Sequence, residues 1–179
     1  MVISLKKKFK KSLNTLKKLD ENVWNSKIQI RGNKMYRYEE MVMTFDGMDG
    51  IFIDDCKSLD GDFEGFYCNG TLLIDKNLSQ ERKLEVLAEE IAHHYFTYGD
   101  ILNQRIFINR KFETYARRKA YEILIPIEKI NTLYEFGIIT VHEMSVHFEV
   151  TDEFMIGACN HYRLKKGVSL LPELEDIFF

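Results

Sequence analysis

One short stretch of the sequence, residues 87–95, places carboxylates and histidines at the spacing of a helical turn. Glu89 and His93 are four residues apart, so on a helix both side chains lie on one face and can bind the same metal ion. Glu90 follows the first of these candidate ligands, where a general base for a metal-bound water is needed. This spacing imitates the H-E-x-x-H zinc helix, with glutamate in place of the first histidine. An ordinary helix surface with two polar histidines would give the same pattern.

A second candidate carboxylate, Glu113, begins a helical stripe that is otherwise small and apolar. An unpaired buried carboxylate is costly, so Glu113 would need a metal, an arginine or another hydrogen-bond partner. A metal shared with the first helix would meet that need, and Arg110 and Arg117 are the rival partners. The residues that follow Glu113 at helical spacing and should pack inward are Ala116, Ala120 and Leu124.

The elements that must position these residues are a small sheet and several helices. Short apolar runs predict three strands, and Asn69-Gly70 between the last two is a strong hairpin signal. The sequence therefore predicts an α+β fold, in which a small antiparallel three-stranded sheet packs against a helical core that ends in short helices. The predicted strands are about 50–53, 65–68 and 71–75, and the predicted helices are about 35–47, 79–98, 110–125, 127–136, 141–148 and 152–165.

Composition and charge exclude several classes of protein. Hydrophobic residues make up 45% of the 179, which excludes wholesale disorder, and no run of 18 apolar residues could span a bilayer. Residues 1–18 carry seven lysines and no acid, so the rest of the chain must carry −10 to give the total of −3. We therefore expect a basic amphipathic extension over residues 1–30 and one domain over 31–179. Three cysteines without a signal-peptide pattern predict free thiols in the cytoplasm.

Three blocks of the sequence, taken in order, match the pattern of a known family. They are the hairpin and its exit at 69–79, the stretch 87–95 with Gly99-Asp100-Ile101 after it, and residues 113–126. Together they resemble the ImmA/IrrE family of zinc metallopeptidases, in particular its phage and mobile-element branch, over about residues 36–165. The resemblance implies a metallopeptidase-like helical core and a cytoplasmic zinc endopeptidase. Its protein substrate would be a helix-turn-helix repressor of a phage or mobile element.

The resemblance also implies roles for the candidate residues. It makes His93 and Glu113 ligands of a zinc ion, and it makes Glu90 the general base that activates a water. Glu89 is a departure, because the wider family has histidine there. A carboxylate can still bind zinc, but it leaves the centre less positive and lowers the pKa of the bound water less. We therefore expect a weaker or more conditional hydrolase, or one that accepts manganese or another divalent metal.

Three further residues are candidates for the surroundings of the metal. His94 could replace a ligand or shuttle a proton, since it follows Glu90 by one helical turn. Tyr95 could stabilise an oxyanion, although a tyrosine at this spacing is more typical of a core. Asp100 belongs to the short motif that the resemblance places after the helix.

Two other functions fit the sequence. A relative with weak or no activity could act as a regulatory module that binds its partner protein without cutting it, and Glu89 is the feature that favours this alternative. Residues 141–165 have the pattern helix, tight turn, helix, so they could bind DNA. Asp152 and Glu153 open the second of these helices and would repel phosphates, which disfavours direct DNA binding.

Overall fold

The computed structural model describes residues 36–61, 63–68, 70–96 and 107–166. The chain divides into two compact units between residues 98 and 99. The first unit contains α1 (Arg37–Phe45), a 3-10 turn (Met48–Gly50), β1 (Phe52–Asp54), β2 (Gly65–Cys68), β3 (Thr71–Ile74) and α2 (Gln80–Phe96). The second unit contains α3 (Phe107–Leu124), α4 (Ile127–Glu135), α5 (Val141–Phe148) and α6 (Asp152–Lys166).

The first unit is built on a three-stranded sheet with the strand order β1-β3-β2. The central strand, β3, pairs with β1 in parallel, so that Phe52 lies opposite Thr71 and Asp54 lies opposite Leu73. It pairs with β2 in antiparallel fashion. The predicted α+β class is confirmed, but the all-antiparallel pairing that we expected is wrong, because the sheet is mixed.

The connection between β1 and β2 explains the mixed pairing. Ten residues separate β1 from β2 in the sequence, which is enough chain to place β2 two strand positions from β1, at a distance of about 9.6 Å. β3 then returns into that gap through the hairpin, where Gly70 has a φ of 83° that suits the turn. Gly65 lets β2 lie close to α2, because a Cβ there would collide with Val86.

Helix α2 covers one face of this sheet and carries the candidate site. It packs against β2, β3 and α1. Ser79 caps its first turn by accepting a hydrogen bond from the backbone N–H of Arg82 at 3.2 Å. An apolar stripe at helical spacing is the side of α2 that faces the core. The buried residues on this side are Leu84, Leu87, Ala88, Ile91, Ala92 and Tyr95.

The first half of α2 contains a fully buried carboxylate, Glu85. The guanidinium of Arg82 donates a hydrogen bond to it at 2.7 Å. Arg82 also donates from Nε to Glu64, just before β2, at 2.9 Å. The bond to Glu64, with a smaller contribution from Glu85, raises the pKa of Arg82. This three-residue network therefore ties α2 to the start of β2.

A second polar contact ties α2 to α1. Tyr38 of α1 donates its hydroxyl to Asp55 at 3.0 Å, and Lys83 Nζ lies 3.4 Å from the same carboxylate. Lys83 Nζ also lies 5.7 Å from the centre of the Tyr38 ring, in a cation–π arrangement. These contacts and the apolar stripe together fix the rotation of α2 about its own axis.

The second unit is organised around α3 and α6, which pack against each other. α3 begins at Phe107, earlier than the expected start near residue 110. Ala116 and Ala120 are fully buried, which confirms that the predicted stripe packs inward. Tyr162 of α6 donates its hydroxyl to the carbonyl of Ile125 at 2.6 Å and so fixes the end of α3 against α6.

Helices α5 and α6 are joined by residues 149–151 alone. Thr140 caps α5 and Thr151 caps α6, because each side-chain oxygen accepts a hydrogen bond from a backbone N–H, at 3.2 and 3.1 Å. Glu149 ends α5 in the left-handed conformation, with a φ of 54°. The connection has the length that the helix, turn, helix pattern indicated, and its use in DNA binding stays a prediction.

The remaining expectations concern membranes, thiols and the N-terminal extension. None of the helices in the described ranges has the length and apolar character that a membrane crossing requires. Cys56 is an exposed free thiol and Cys159 a buried one. Burial raises the pKa of the Cys159 thiol to about 12. The expected basic extension, residues 1–30, lies outside the described residues.

We expect the change Arg82→Leu to lower the free energy of unfolding by about 2–3 kcal/mol, because it removes the guanidinium that balances a buried carboxylate. The double change Arg82→Leu with Glu85→Leu should restore most of this loss, since no charge then remains buried. Urea unfolding followed by circular dichroism measures both. A cost below about 0.5 kcal/mol for the single change, the range of an ordinary surface substitution, would contradict the role of this network.

Candidate metal centre

Four candidate residues lie along the margin of the buried face of α2. Glu89, Glu90, His93 and His94 are each partly exposed, whereas Ile91 between them is fully buried. Glu89 and His93 are one helical turn apart, as are Glu90 and His94, so the four side chains form two adjoining rows. We call these four residues the polar edge of α2. An edge between core and solvent can hold a cation firmly and still admit water and substrate.

The donor atoms of the polar edge suit a divalent metal. Glu89 offers carboxylate oxygens and His93 an imidazole nitrogen, both of which zinc accepts, and the carboxylate also suits a harder ion such as manganese. Taken unit by unit, the described residues hold no group of three or more histidine, cysteine or acidic side chains close enough to bind one ion. A complete ligand set therefore needs a donor beyond this pair, and the predicted one is Glu113.

Glu113 lies on α3 in the second unit and is partly exposed. Its carboxylate therefore lies at the rim of the buried face of α3, less deeply than its place in the apolar stripe suggested. It also lines a groove between α3 and α6. The role of Glu113 as a metal ligand stays a prediction. Asp100, another candidate, lies outside the described residues.

His94 carries a polar atom that the fold leaves unsatisfied. Its Nε2 is buried and has no hydrogen-bond partner among the described residues. The ring lies edge-on to Tyr67 of β2 and to Tyr95, with ring centres 5.3 and 4.9 Å away. Burial lowers the pKa of His94, against the opposing influence of the Asp49 charge. The neutral imidazole is therefore favoured, and its role beside a metal stays a prediction.

Tyr95 is held in the core by both its ring and its hydroxyl. The side chain is 3% exposed, and its ring lies edge-on to Phe45 with 6.4 Å between ring centres. Its hydroxyl donates a hydrogen bond to Asp49 at 2.9 Å. These contacts are those of a residue that packs in the core. The stabilisation of an oxyanion by Tyr95 stays a prediction.

Asp49 is a residue of this region that no sequence motif indicated. Its backbone is left-handed, with a φ of 52°, a conformation that costs a non-glycine residue about 1–3 kcal/mol. Its carboxylate accepts a hydrogen bond from the Tyr95 hydroxyl, and its negative charge acts to raise the pKa of His94. The sequence signal for this turn is the two glycines that flank Asp49, Gly47 and Gly50, which both have positive φ.

Comparison with known proteins places the chain in a family. Residues 50–158 match the family described as the IrrE N-terminal-like domain, peptidase family M78. The match covers more than half of the chain and includes the polar edge of α2 as well as Glu113. This chain belongs to that family. The resemblance seen in the sequence is thereby confirmed, while no curated protein and no solved structure matches the chain.

Membership of the IrrE-like family gives the protein a metallopeptidase-family role. A protein substrate and a divalent metal, commonly zinc, go with that role. The match begins just before β1 and ends within α6, so the sheet, α2 and α3 all lie inside it. Helix α1 lies before the matched region, although its Tyr38 helps to hold α2 in place.

We expect His94→Phe to raise the free energy of unfolding by about 1 kcal/mol, because it removes a buried, unsatisfied nitrogen and keeps the ring contacts. Tyr95→Phe is the matched change, and it should lower the free energy by about 1 kcal/mol through loss of the bond to Asp49. Urea unfolding of the two variants and the parent chain measures both. A His94→Phe chain that is clearly less stable than the parent would contradict the unsatisfied state of Nε2.

Proposed function

We propose that this protein is a zinc-dependent endopeptidase of the cytoplasm, and that it cleaves a helix-turn-helix repressor of a phage or mobile element. The observation that carries the proposal is the polar edge of α2, in a chain of the IrrE-like peptidase family. There Glu89, Glu90 and His93 follow one another at the spacing of a metal-binding helix on a partly exposed surface.

Three side chains would hold the metal, and one would move protons. Glu89, His93 and Glu113 are the proposed ligands, and Glu90 is the proposed general base. A zinc ion held there would supply a Lewis acid for the scissile carbonyl and for a water. Glu90 would accept a proton from the attacking water and later donate it to the leaving amine, so that one carboxylate would act first as base and then as acid.

The glutamate at position 89 sets the charge of the proposed centre. Two carboxylates and a neutral imidazole balance the +2 charge of the ion, whereas two histidines and one carboxylate would leave +1. A balanced centre is a weaker Lewis acid, because the charge of the ion drives the acidity of the water. We therefore expect slow or gated hydrolysis and tolerance of manganese in place of zinc.

The same glutamate favours a second candidate function, in which the protein binds the repressor without cutting it. A centre that is too weak to hydrolyse a peptide bond could still hold its metal and its partner. Both functions use the polar edge of α2 and the same partner. They differ only in whether the repressor is cleaved, which a measurement of its mass reveals.

The charge at the start of α6 supports a protein partner over DNA. Asp152 accepts a hydrogen bond from the Ser145 hydroxyl and lies 3.2 Å from His142 Nδ1. The Ser145 bond, and to a smaller extent His142, lowers the pKa of Asp152, so this carboxylate stays charged at neutral pH. It occupies the first turn of the helix that would have to approach DNA phosphates, which it would repel.

The change Glu90→Gln tests the peptidase directly. We expect it to reduce repressor cleavage by at least about 100-fold, because the general base is lost, and to leave the metal content unchanged. Glu81→Gln, in the first turn of the same helix, is the matched control and should retain both properties. Plasma mass spectrometry measures the metal, and intact-mass measurement after co-expression with a neighbouring helix-turn-helix repressor measures cleavage.

Each result of this experiment has a definite meaning. Cleavage that is lost only in Glu90→Gln, with metal retained, supports the peptidase. If every chain binds metal and none cleaves the repressor, the peptidase is overturned, and binding of the repressor without cleavage is favoured. Absence of both metal and cleavage in every chain overturns the metal centre itself.

Replacement of the unusual ligand provides a second prediction. We expect Glu89→His to raise kcat for repressor cleavage by about tenfold, which corresponds to about 1.4 kcal/mol, because the centre gains positive charge. Glu89→Gln is the control, since it removes the carboxylate without supplying an imidazole, and it should lower the metal content. If Glu89→His reduces both the zinc content and the rate, position 89 does not act as a ligand of this kind.

A further inference from the structure

A groove of about 530 Å³ runs between α3 and α6 in the second unit. Its volume lies in the range of sites that take small ligands, and a short stretch of peptide fits the same space. On each helix the lining residues recur about one turn apart, so the groove follows one face of α3 and one face of α6. Those that carry the argument are Glu113, Arg117, Arg118, Tyr121, Asn160 and His161.

Positive charge dominates the open side of the groove. Arg117 and Arg118 are neighbours on α3, and both are exposed. Asn160, opposite them on α6, adds an amide that can donate or accept a hydrogen bond. Among the lining residues, all of them described, Glu113 alone is acidic, and it is the residue proposed to be neutralised by the metal.

The inner end of the groove is tightly packed. The Tyr121 ring lies edge-on to Phe154, with 4.8 Å between ring centres, and its hydroxyl lies so close to Gly157 that a Cβ there would collide with it. His161 is 6% exposed, and its Nε2 lies 3.2 Å from Glu122 Oε1. Packing therefore holds Tyr121 and His161 in place at this end of the groove.

We propose that this groove binds an acidic side chain of the protein substrate. The identity of the occupant rests on the proposed function, because a peptidase must hold a stretch of its substrate. Two adjacent guanidinium groups suit one or two carboxylates, to which each can donate paired hydrogen bonds. Nucleic acid is a poorer fit, because its affinity depends on many phosphate contacts and α6 begins with Asp152 and Glu153.

Binding of matched peptides tests the groove without any need for catalysis. The protein is the full chain with Glu90→Gln, and the probes are two fluorescein-labelled octapeptides, one of alternating alanine and glutamate and one with glutamine in place of glutamate. We expect fluorescence anisotropy to show at least tenfold tighter binding of the glutamate peptide, with a preference that falls as salt is added. Adding Arg117→Gln with Arg118→Gln should abolish the preference. The charge-matched control, Lys57→Gln with Lys76→Gln in the first unit, should retain it.

Failure of this proposal can be told apart from failure of the peptidase. Equal binding of the two peptides, or an equal loss in the lysine control, overturns the groove whatever the protein cleaves. Displacement of the glutamate peptide by an equal concentration of a single-stranded oligonucleotide also overturns it in favour of a general polyanion site. An arginine-dependent preference in a chain that cleaves nothing supports the groove and leaves only the peptidase refuted.

Discussion

The packing of α2 on the sheet is the constraint on which the candidate centre depends. Leu84, Leu87 and Ile91 are withdrawn from solvent, and each such burial contributes about 1.5–3 kcal/mol. A rotation that buried the polar edge would expose them, so the helix cannot turn without a large loss. The contacts of Arg82 and Lys83 fix the same rotation from the polar side. The polar edge is therefore held at the boundary of core and solvent by interactions that are not themselves catalytic.

The candidate centre and the groove differ in the charge of their side chains. Outside residues 1–18 the chain carries a formal excess of acid, and three of those acids, Glu89, Glu90 and Glu113, would offset a cation that the formal count omits. The groove of the second unit has the opposite balance, with two adjacent arginines beside one of these carboxylates. Two adjacent arginines in this groove suit a partner that presents negatively charged side chains.

Local spacing predicted those features that depend on neighbouring residues. The inward-facing stripe of α3 and the turn at Gly70 are confirmed, and Glu89 and His93 lie on one helix, as their spacing indicated. The parallel pairing of β1 and β3 depends on how a connection crosses the sheet, which spacing does not encode. The role of Asp49 depends on Tyr95, which is 46 residues away in the sequence. The full burial of Glu85 depends on how α2 packs on the sheet, which local spacing does not encode. Whether the polar edge holds a metal likewise depends on a third donor from another helix.

The most direct test of the metal centre is X-ray absorption at the zinc edge, measured on the full chain and on its His93→Ala variant. We expect only nitrogen and oxygen neighbours, at about 2.0–2.2 Å, with the scattering of a single imidazole that the His93→Ala change removes. Sulfur neighbours at about 2.3 Å, or an imidazole signal that persists in the variant, would place the zinc elsewhere and contradict the account.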